Sequence, residues 1–311
     1  MKENILITGG SGFIGSNLVD FFVKEGHDVY VIDDLSTGLE ENHNNQASYF
    51  NYDIVNIIDD SRPIKEYIFK NKISIVYHLA ASADIFLSIN NPEKVYKINL
   101  DASVAILNAC SKTNVKKFIF ASTSAVYGEP EILPVSEDHK TNPISPYGLT
   151  KLGFEQYMNF FQINSDIEMV ALRFPNVYGF RQRSDLEGGV LAIFEDVMKN
   201  NEQIKIFGDG NQTRDWVDVR DIVIALDIAK GYSGKFNIMN LGSGKKTSIN
   251  TLFNYFKNEM SYTKEPLYLD EREGDIKHMV MDCSRVFKQF KWRPTISLED
   301  GVKNLVSRII K

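Results

Sequence analysis

Two side chains four residues apart could move a proton. Tyr147 and Lys151 lie in Ser145-Pro146-Tyr147-Gly148-Leu149-Thr150-Lys151, at the start of a predicted helix. A spacing of four puts them on one face. A tyrosine with an ordinary pKa of about 10 is a poor base at neutral pH. A nearby ammonium favours the phenolate and makes it usable. The same spacing also arises on any exposed helix face, so the pair alone decides nothing. Upstream, Ser122-Thr123-Ser124 closes a predicted strand. That hydroxyl run is either a turn or a further part of an acid–base site.

The N-terminal segment supplies a context for such a base. Thr8-Gly9-Gly10-Ser11-Gly12-Phe13-Ile14-Gly15 contains Gly10-x-Gly12-x-x-Gly15 and also Gly9-x-x-Gly12-x-x-Gly15. It follows a predicted strand, opens a predicted helix, and is answered by Asp33 at the end of the second strand. That is the setting of the dinucleotide fingerprint. The glycines let the backbone approach a pyrophosphate seated on the helix N-terminus. The Asp33 carboxylate suits ribose hydroxyls and repels a 2′-phosphate, which favours NAD over NADP. An ordinary glycine-rich turn between strand and helix is the plain alternative. Other patterns fail. Gly242-Ser243-Gly244-Lys245-Lys246-Thr247 lacks the earlier glycine and the Ser/Thr directly after the lysine that a phosphate loop needs. Asn211-Gln212-Thr213 fits a glycosylation sequon, but nothing else points to secretion. The five histidines, His27, His43, His78, His139 and His278, have no metal-ligand spacing, so no metal is expected.

The elements that must position these residues alternate along the chain. Apolar, strand-like runs fall at Asn4–Thr8, Asp28–Asp33, Ser48–Tyr52, Ile73–Leu79, Lys117–Ser122 and Glu168–Phe174. Amphipathic stretches between them include Ile14–Glu25, Pro92–Ser111 and Tyr147–Ile163. This pattern predicts an α/β protein: a Rossmann-like, doubly wound parallel sheet covered on both faces. After about residue 174 the rhythm loosens, which predicts a smaller α/β substrate lobe. The expected division is 1–174 for the dinucleotide-binding domain, with 215–242 returning to it, and 175–214 plus 243–311 for the lobe. The Asn-rich piece Glu41–Gln46 reads as a surface loop.

Bulk properties exclude some classes of partner. The chain has 311 residues, 43% hydrophobic and 24% charged, with a formal net charge of −6. No basic face is advertised, so neither nucleic acid nor an anionic membrane is an expected partner. No stretch approaches the ~18 apolar residues of a membrane span, and the first apolar run is too short for a signal-peptide core. Two cysteines without close spacing, Cys110 and Cys283, suit a reduced, cytoplasmic protein.

Taken together, the motifs resemble the extended short-chain dehydrogenase/reductase superfamily, in its NAD-dependent nucleotide-sugar epimerase/dehydratase branch. The resemblance runs through Thr8–Gly15, Asp33–Gly38, Asp53-Ile54, His78–Ala81, Asn99, Ser122–Gly128, Tyr147-x-x-x-Lys151 and Arg173–Gly179. It continues through Phe207–Gly210, Arg214-Asp215, Arg272-x-Gly274-Asp275 and Trp292-Arg293-Pro294. It implies that Gly9, Gly12, Phe13, Ile14 and Gly15 meet the pyrophosphate of NAD. It implies that Asp33, Asp34, Leu35, Ser36, Thr37 and Gly38 surround the adenosine ribose and that Asp53 and Ile54 flank the adenine. Leu79, Ala80, Ala81, Ala83, Asn99, Tyr147, Lys151 and Pro175 would line the rest of the cofactor path. Some relatives carry lysine where this chain has Ala83. The sugar nucleotide would meet Ser88, Thr123, Tyr147, Asn176, Gly189, Val190, Phe207, Arg214, Arg272, Asp275 and Met279. A diphosphate calls for permanently charged, fork-shaped donors on grounds independent of family.

The resemblance also implies a reaction. Thr123, Tyr147 and Lys151 would be catalytic, with the Thr123 hydroxyl on the sugar O4. The 4,6-dehydratases of the family need acid–base groups directly after that threonine. Ser124 and Ala125 stand there, and neither can act as a carboxylic acid. What remains is oxidation at C4 and reduction back, which is epimerisation with NAD regenerated in each cycle. Met279 matches a position where a bulky tyrosine restricts the sugar pocket in some relatives and a small residue admits a 2-acetamido group in others. UDP-glucose/UDP-galactose is the first expectation and UDP-GlcNAc/UDP-GalNAc the second, with a UDP-glucuronate enzyme behind them. A simple NAD-dependent dehydrogenase or a non-catalytic NAD sensor are the readings of another kind. Relatives dimerise through the helices matching Val95–Cys110 and Gly153–Phe161, which implies a homodimer.

Overall fold

In a computed structural model, which describes residues 2–186, 189–272 and 275–309, the chain opens with strand β1 (Asn4–Thr8) and helix α1 (Phe13–Lys24). There follow β2 (Asp28–Asp33), β3 (Ser48–Asn51), α2 (Arg62–Lys70), β4 (Ile75–His78) and α3 (Ile85–Asn90). Then come α4 (Pro92–Tyr96), α5 (Ala102–Cys110), β5 (Lys117–Thr123), α6 (Pro146–Phe161) and β6 (Glu168–Phe174). The second half adds β7 (Asn176–Tyr178), α7 (Val190–Lys199), β8 (Lys205–Phe207), β9 (Thr213–Arg214), β10 (Trp216–Asp218), α8 (Val219–Ala229) and β11 (Asn237–Asn240). It ends with β12 (Thr247–Ser248), α9 (Ile249–Glu259), β13 (Leu267–Leu269), α10 (Ser284–Phe290) and α11 (Leu298–Ile309).

Seven strands form one parallel sheet in the order β11-β6-β5-β4-β1-β2-β3. Strand order reverses between β1 and β4, where a doubly wound sheet opens its ligand crevice. Alternation along β1 explains the layering. Ile5 and Ile7 face α1 and α8, joining Leu18, Val19, Phe22, Ile222 and Leu226. Leu6 faces the other way, with Ile64 and Ile68 of α2, Ile106 of α5 and Phe154 of α6. The predicted single helix Pro92–Ser111 is interrupted by a π-helical turn at Lys97–Asp101, a device often found at functional sites.

A third core, built from Leu191, Phe194, Leu252, Phe253, Phe256, Val302 and Val306, holds α7, α9 and α11 together beside the sheet. The expected return of 215–242 to the sheet takes the form of α8 and β11. The packing goes further than that segment, because Val286 of α10 and Trp292 also pack into the sheet's core. Asp221 of α8 fixes this return. It accepts from the Thr295 N–H and Oγ1 and from the Ile296 N–H, while Trp292 Nε1 donates to its backbone oxygen. The Asn-rich piece is more than a surface loop: Asn42 is buried and its amide donates to Ser11 O at 3.0 Å. No helix among the described residues is long and apolar enough to cross a membrane.

Candidate functional site

The carboxyl ends of β1, β4, β5 and β6 open into a cavity of about 1050 Å³. A ligand cleft usually holds roughly 300–1,000 Å³, so this one stands at the top of that range.

One end is built by the turn from β1 into α1. Gly9 has φ +74°, and a Cβ there would lie 2.8 Å from Ala80 N. A Cβ at Gly15 would lie 2.1 Å from Gly9 O, so only glycine lets the helix start this close to the strand. The first-turn N–H groups of a helix have no partner within it, and Gly12, Phe13, Ile14 and Gly15 line the cavity. Asp33 accepts from the Ser11 N–H and the Leu35 N–H, both at 2.9 Å. Burial raises its pKa, against those two hydrogen bonds. Asp34, Ser36, Thr37, Asp53, Ile54, Leu79, Ala80, Ala81, Ala83 and Pro175 also line this end. The cradle and its carboxylate fit a dinucleotide.

Three residues expected here stand behind the wall instead. Leu35, at φ +60°, is a turn residue, and Gly38 packs against Ser11 and the Asp33 carboxylate. Asn99, on the π-helical turn, is buried and clamps the lining loop: it accepts from Ser82 N–H at 2.8 Å and donates to Ser82 O at 2.9 Å. His78 is likewise structural. It is wholly buried between Thr8 Oγ1 at 2.7 Å and Ser103 Oγ at 2.8 Å. Burial pushes its pKa down to about 3, with the Lys151 charge adding to the effect.

Thr123, Tyr147 and Lys151 all line the cavity. Thr123 ends β5 and caps the short turn Ser124–Tyr127, its Oγ1 accepting from the Ala125 N–H at 3.1 Å. A hydroxyl fixed as acceptor on one side still has its own proton to donate. Ser145 caps α6 by accepting from the Gly148 N–H at 3.1 Å, with Pro146 in the first turn. That cap sets Tyr147 and Lys151 at the mouth of the helix. Lys151 is buried, donates to Ala121 O at 2.9 Å and lies 4.8 Å from the Phe120 ring centroid.

Residues to which the sequence analysis assigns no role hold this centre. Glu155, one turn beyond Lys151, is fully buried and pairs with Arg173, whose Nη2 and Nε lie 2.6 and 2.9 Å from its carboxylate oxygens. Ser122 Oγ donates to the same carboxylate at 2.5 Å. Arg173 Nη1 donates to the Tyr127 hydroxyl, which donates to Asn240 Oδ1 on β11. Each charge in this pair is therefore desolvated but filled with hydrogen bonds. The i, i+4 spacing of Lys151 and Glu155 was the available signal; the arginine needed the β5–β6 register, where Ser122 faces Arg173.

At the far end the wall is Asn176, Gly189, Trp216, Arg214, Arg272, Asp275 and Met279. Arg214 Nη1 reaches only carbonyl oxygens among the described residues, Thr213 O at 3.0 Å and Lys277 O at 3.4 Å. Burial lowers its pKa. A partly buried guanidinium with no carboxylate hydrogen-bonded to it among the described residues is a ready anion site. Met279 is buried with Val126, Tyr127, Val135 and Met281 while still facing the cavity. Ser88, on α3, is buried and donates to Ile85 O at 2.6 Å, and neither it nor Val190 nor Phe207 is in the cavity wall. Gly274 lies outside the described residues. The apparent phosphate loop has an internal use: Ser243 N–H and Oγ and Gly244 N–H all donate to Asp215. Among the described residues there is no group of three or more His, Cys, Asp or Glu placed to hold a metal.

Known proteins place this geometry. The sequence is 40% identical over 304 residues to a putative UDP-glucose 4-epimerase of Methanocaldococcus jannaschii, covering 97% of each chain. The fold matches the UDP-glucose 4-epimerase of Thermotoga maritima solved with UDP-glucose, at a TM-score of 0.94 and 38% identity over 98% of this chain and 97% of that one. It also matches a UDP-N-acetylglucosamine 4-epimerase of Methanobrevibacter ruminantium in complex with UDP-N-acetylmuramic acid, at 0.90 and 34%, over 99% and 100%. With residues 5–242 also fitting the profile of the NAD dependent epimerase/dehydratase family, the chain belongs to that family.

Proposed function

We propose that the chain is an NAD-dependent 4-epimerase of UDP-sugars and that it interconverts UDP-glucose and UDP-galactose. One observation carries the reading: a single cavity joins the glycine cradle, the Thr123, Tyr147 and Lys151 side chains and the Arg214 guanidinium, which among the described residues hydrogen-bonds only to carbonyl oxygens. In this reading residues 1–174 with 215–242 hold NAD, while 175–214 and 243–311 hold the sugar nucleotide. Bound there, NAD would supply the hydride-accepting and hydride-returning chemistry that epimerisation at the sugar C4 needs.

The chain's own residues handle the proton and the orientation. Tyr147 exchanges the O4 proton through its phenol oxygen. Thr123, its Oγ1 fixed by the Ala125 N–H, donates to the sugar oxygen. Lys151 is held by Ala121 O, so its ammonium stays beside Tyr147 on one helix face. Arg214 and Arg272 grip the diphosphate, and a loosely held sugar can then turn over between the two half-reactions. Binding energy placed on the nucleotide, rather than on the sugar, leaves that rotation free. Ser124 and Ala125, where an eliminating enzyme would need acids, favour epimerisation over dehydration. Met279 is packed on its inner side, so it narrows the sugar end. That favours a 2-hydroxyl over a 2-acetamido group, although an unbranched methionine can repack.

The test uses purified protein with no added electron acceptor, incubated with UDP-galactose and separately with UDP-GalNAc. Chromatography of the sugar nucleotides should show UDP-galactose reaching equilibrium with UDP-glucose and UDP-GalNAc unchanged. Conversion of both would make the pocket permissive. If neither isomerises while NAD is bound, the assignment to these sugars is wrong, and a UDP-glucuronate substrate is tried next.

A further inference from the structure

Helix α3 puts three large apolar side chains into the cleft. Ile85, Phe86 and Ile89 are 45, 53 and 57% exposed, and all three line the cavity. Their support is firm: Asp84 Oδ1 accepts from the Leu87 N–H at 2.9 Å, and the preceding loop is clamped by Asn99. From the opposite wall Arg272 reaches over. Its Cζ lies 5.1 Å from the Phe86 ring centroid and 3.6 Å from that of Phe207. Among the described residues this guanidinium has no hydrogen bond or ion pair. Two aromatic rings therefore hold a permanent charge whose N–H donors have no partner among the described residues.

We propose that Phe86 is a substrate-retention residue: with Phe207 it clasps Arg272 across the cleft and presents the guanidinium to the diphosphate of a bound nucleotide. The proposal rests on the UDP-sugar reading above. The physical case is pre-organisation. A free arginine loses rotamer freedom when it binds a phosphate, and one already stacked has lost most of it. Because Phe86 follows β4 of the sheet and Arg272 belongs to the opposite wall, the clasp also bridges the cleft mouth. Its loss should act on nucleotide release and leave the cofactor cradle untouched.

The experiment titrates UDP, calorimetrically, into the full chain supplied with NAD. Phe86→Leu keeps apolar bulk and removes the ring; it should weaken UDP binding about fivefold, with Phe86→Tyr close to wild type. NAD affinity should be the same in all three. In an Arg272→Ala background, Phe86→Leu should have no further effect. Unchanged UDP affinity in Phe86→Leu, or an equal loss with Arg272 already gone, overturns the clasp while leaving the UDP-sugar reading intact. A wild type that fails to bind UDP overturns that reading and the clasp with it.

Discussion

His78 occupies the place where the sheet, the cofactor loop and the π-helical turn meet, and it is held neutral there between two hydroxyls. That has a consequence for stability. Unfolded, the imidazole titrates near 6.5; folded, its pKa is about 3. Between those values the unfolded chain binds a proton that the folded chain does not. Stability from this residue is therefore complete above about pH 6.5 and is lost as the pH falls towards 3. From pH 7 to pH 5 the loss is about 2 kcal/mol by linkage. Urea unfolding of wild type and His78→Gln at both pH values checks it: the variant, which cannot titrate, should lose about that much less. Equal losses would mean that the buried imidazole is not the titrating group. Legibility at this scale followed side-chain chemistry. Thr123, Tyr147, Lys151 and Arg214 stand in the cavity wall because their chemistry is in the residue type itself. Asn99 and Ser88 do not, since an amide or hydroxyl that fills a backbone's needs looks, in sequence, like one that meets a ligand.

Helix α6, which carries Tyr147 and Lys151, and the turn after β5 touch at Gly148. A Cβ there would lie 2.7 Å from Ala125 O and 3.1 Å from Pro143 Cβ. Alanine is the better helix former by about 1 kcal/mol, so Gly148→Ala pits local propensity against position. The helix would have to back away by a few tenths of an ångström between Tyr147 and Thr123. Misplacements of that order cost turnover steeply. Gly148→Ala should lower kcat about tenfold or more, with UDP affinity and thermal stability near wild type. A variant with full kcat would show that the two elements tolerate the shift. The elements themselves were legible where burial on both faces writes a largely apolar run, as in β1, β2 and β6, whose bounds the sequence reading matches. β11 was not, because its four residues Asn-Ile-Met-Asn carry no period; only its pairing with β6 makes it a strand. The π-helical turn at Lys97–Asp101 was hidden for a related reason, since an extra residue per turn changes no residue type.

At the scale of the molecule, the outer face of α6 is unusually apolar. Leu149 and Phe160 are 60 and 66% exposed, their spacing from Gly153 keeps them in one stripe, and Ile163, 71% exposed, follows on the short turn Gln162–Asn164. Gly153 packs on Leu100, so the helices expected to form a dimer are already neighbours, with Tyr96 exposed beside them. The opposite face of α6 carries Lys151, Glu155 and Phe154 into the core. A two-fold partner on the stripe would thus press α6 against β5 from outside. We propose a homodimer through this face. Light scattering after size exclusion should give about 71 kDa for a chain of 35.4 kDa. In a two-fold interface each substitution counts twice. Phe160→Glu removes about 2 kcal/mol of apolar burial per copy and adds two desolvated charges, so it should yield a monomer. Phe160 is far along the helix from Tyr147, so the monomer should still bind UDP; a wild-type monomer, or a dimer that survives Phe160→Glu, would move the interface elsewhere.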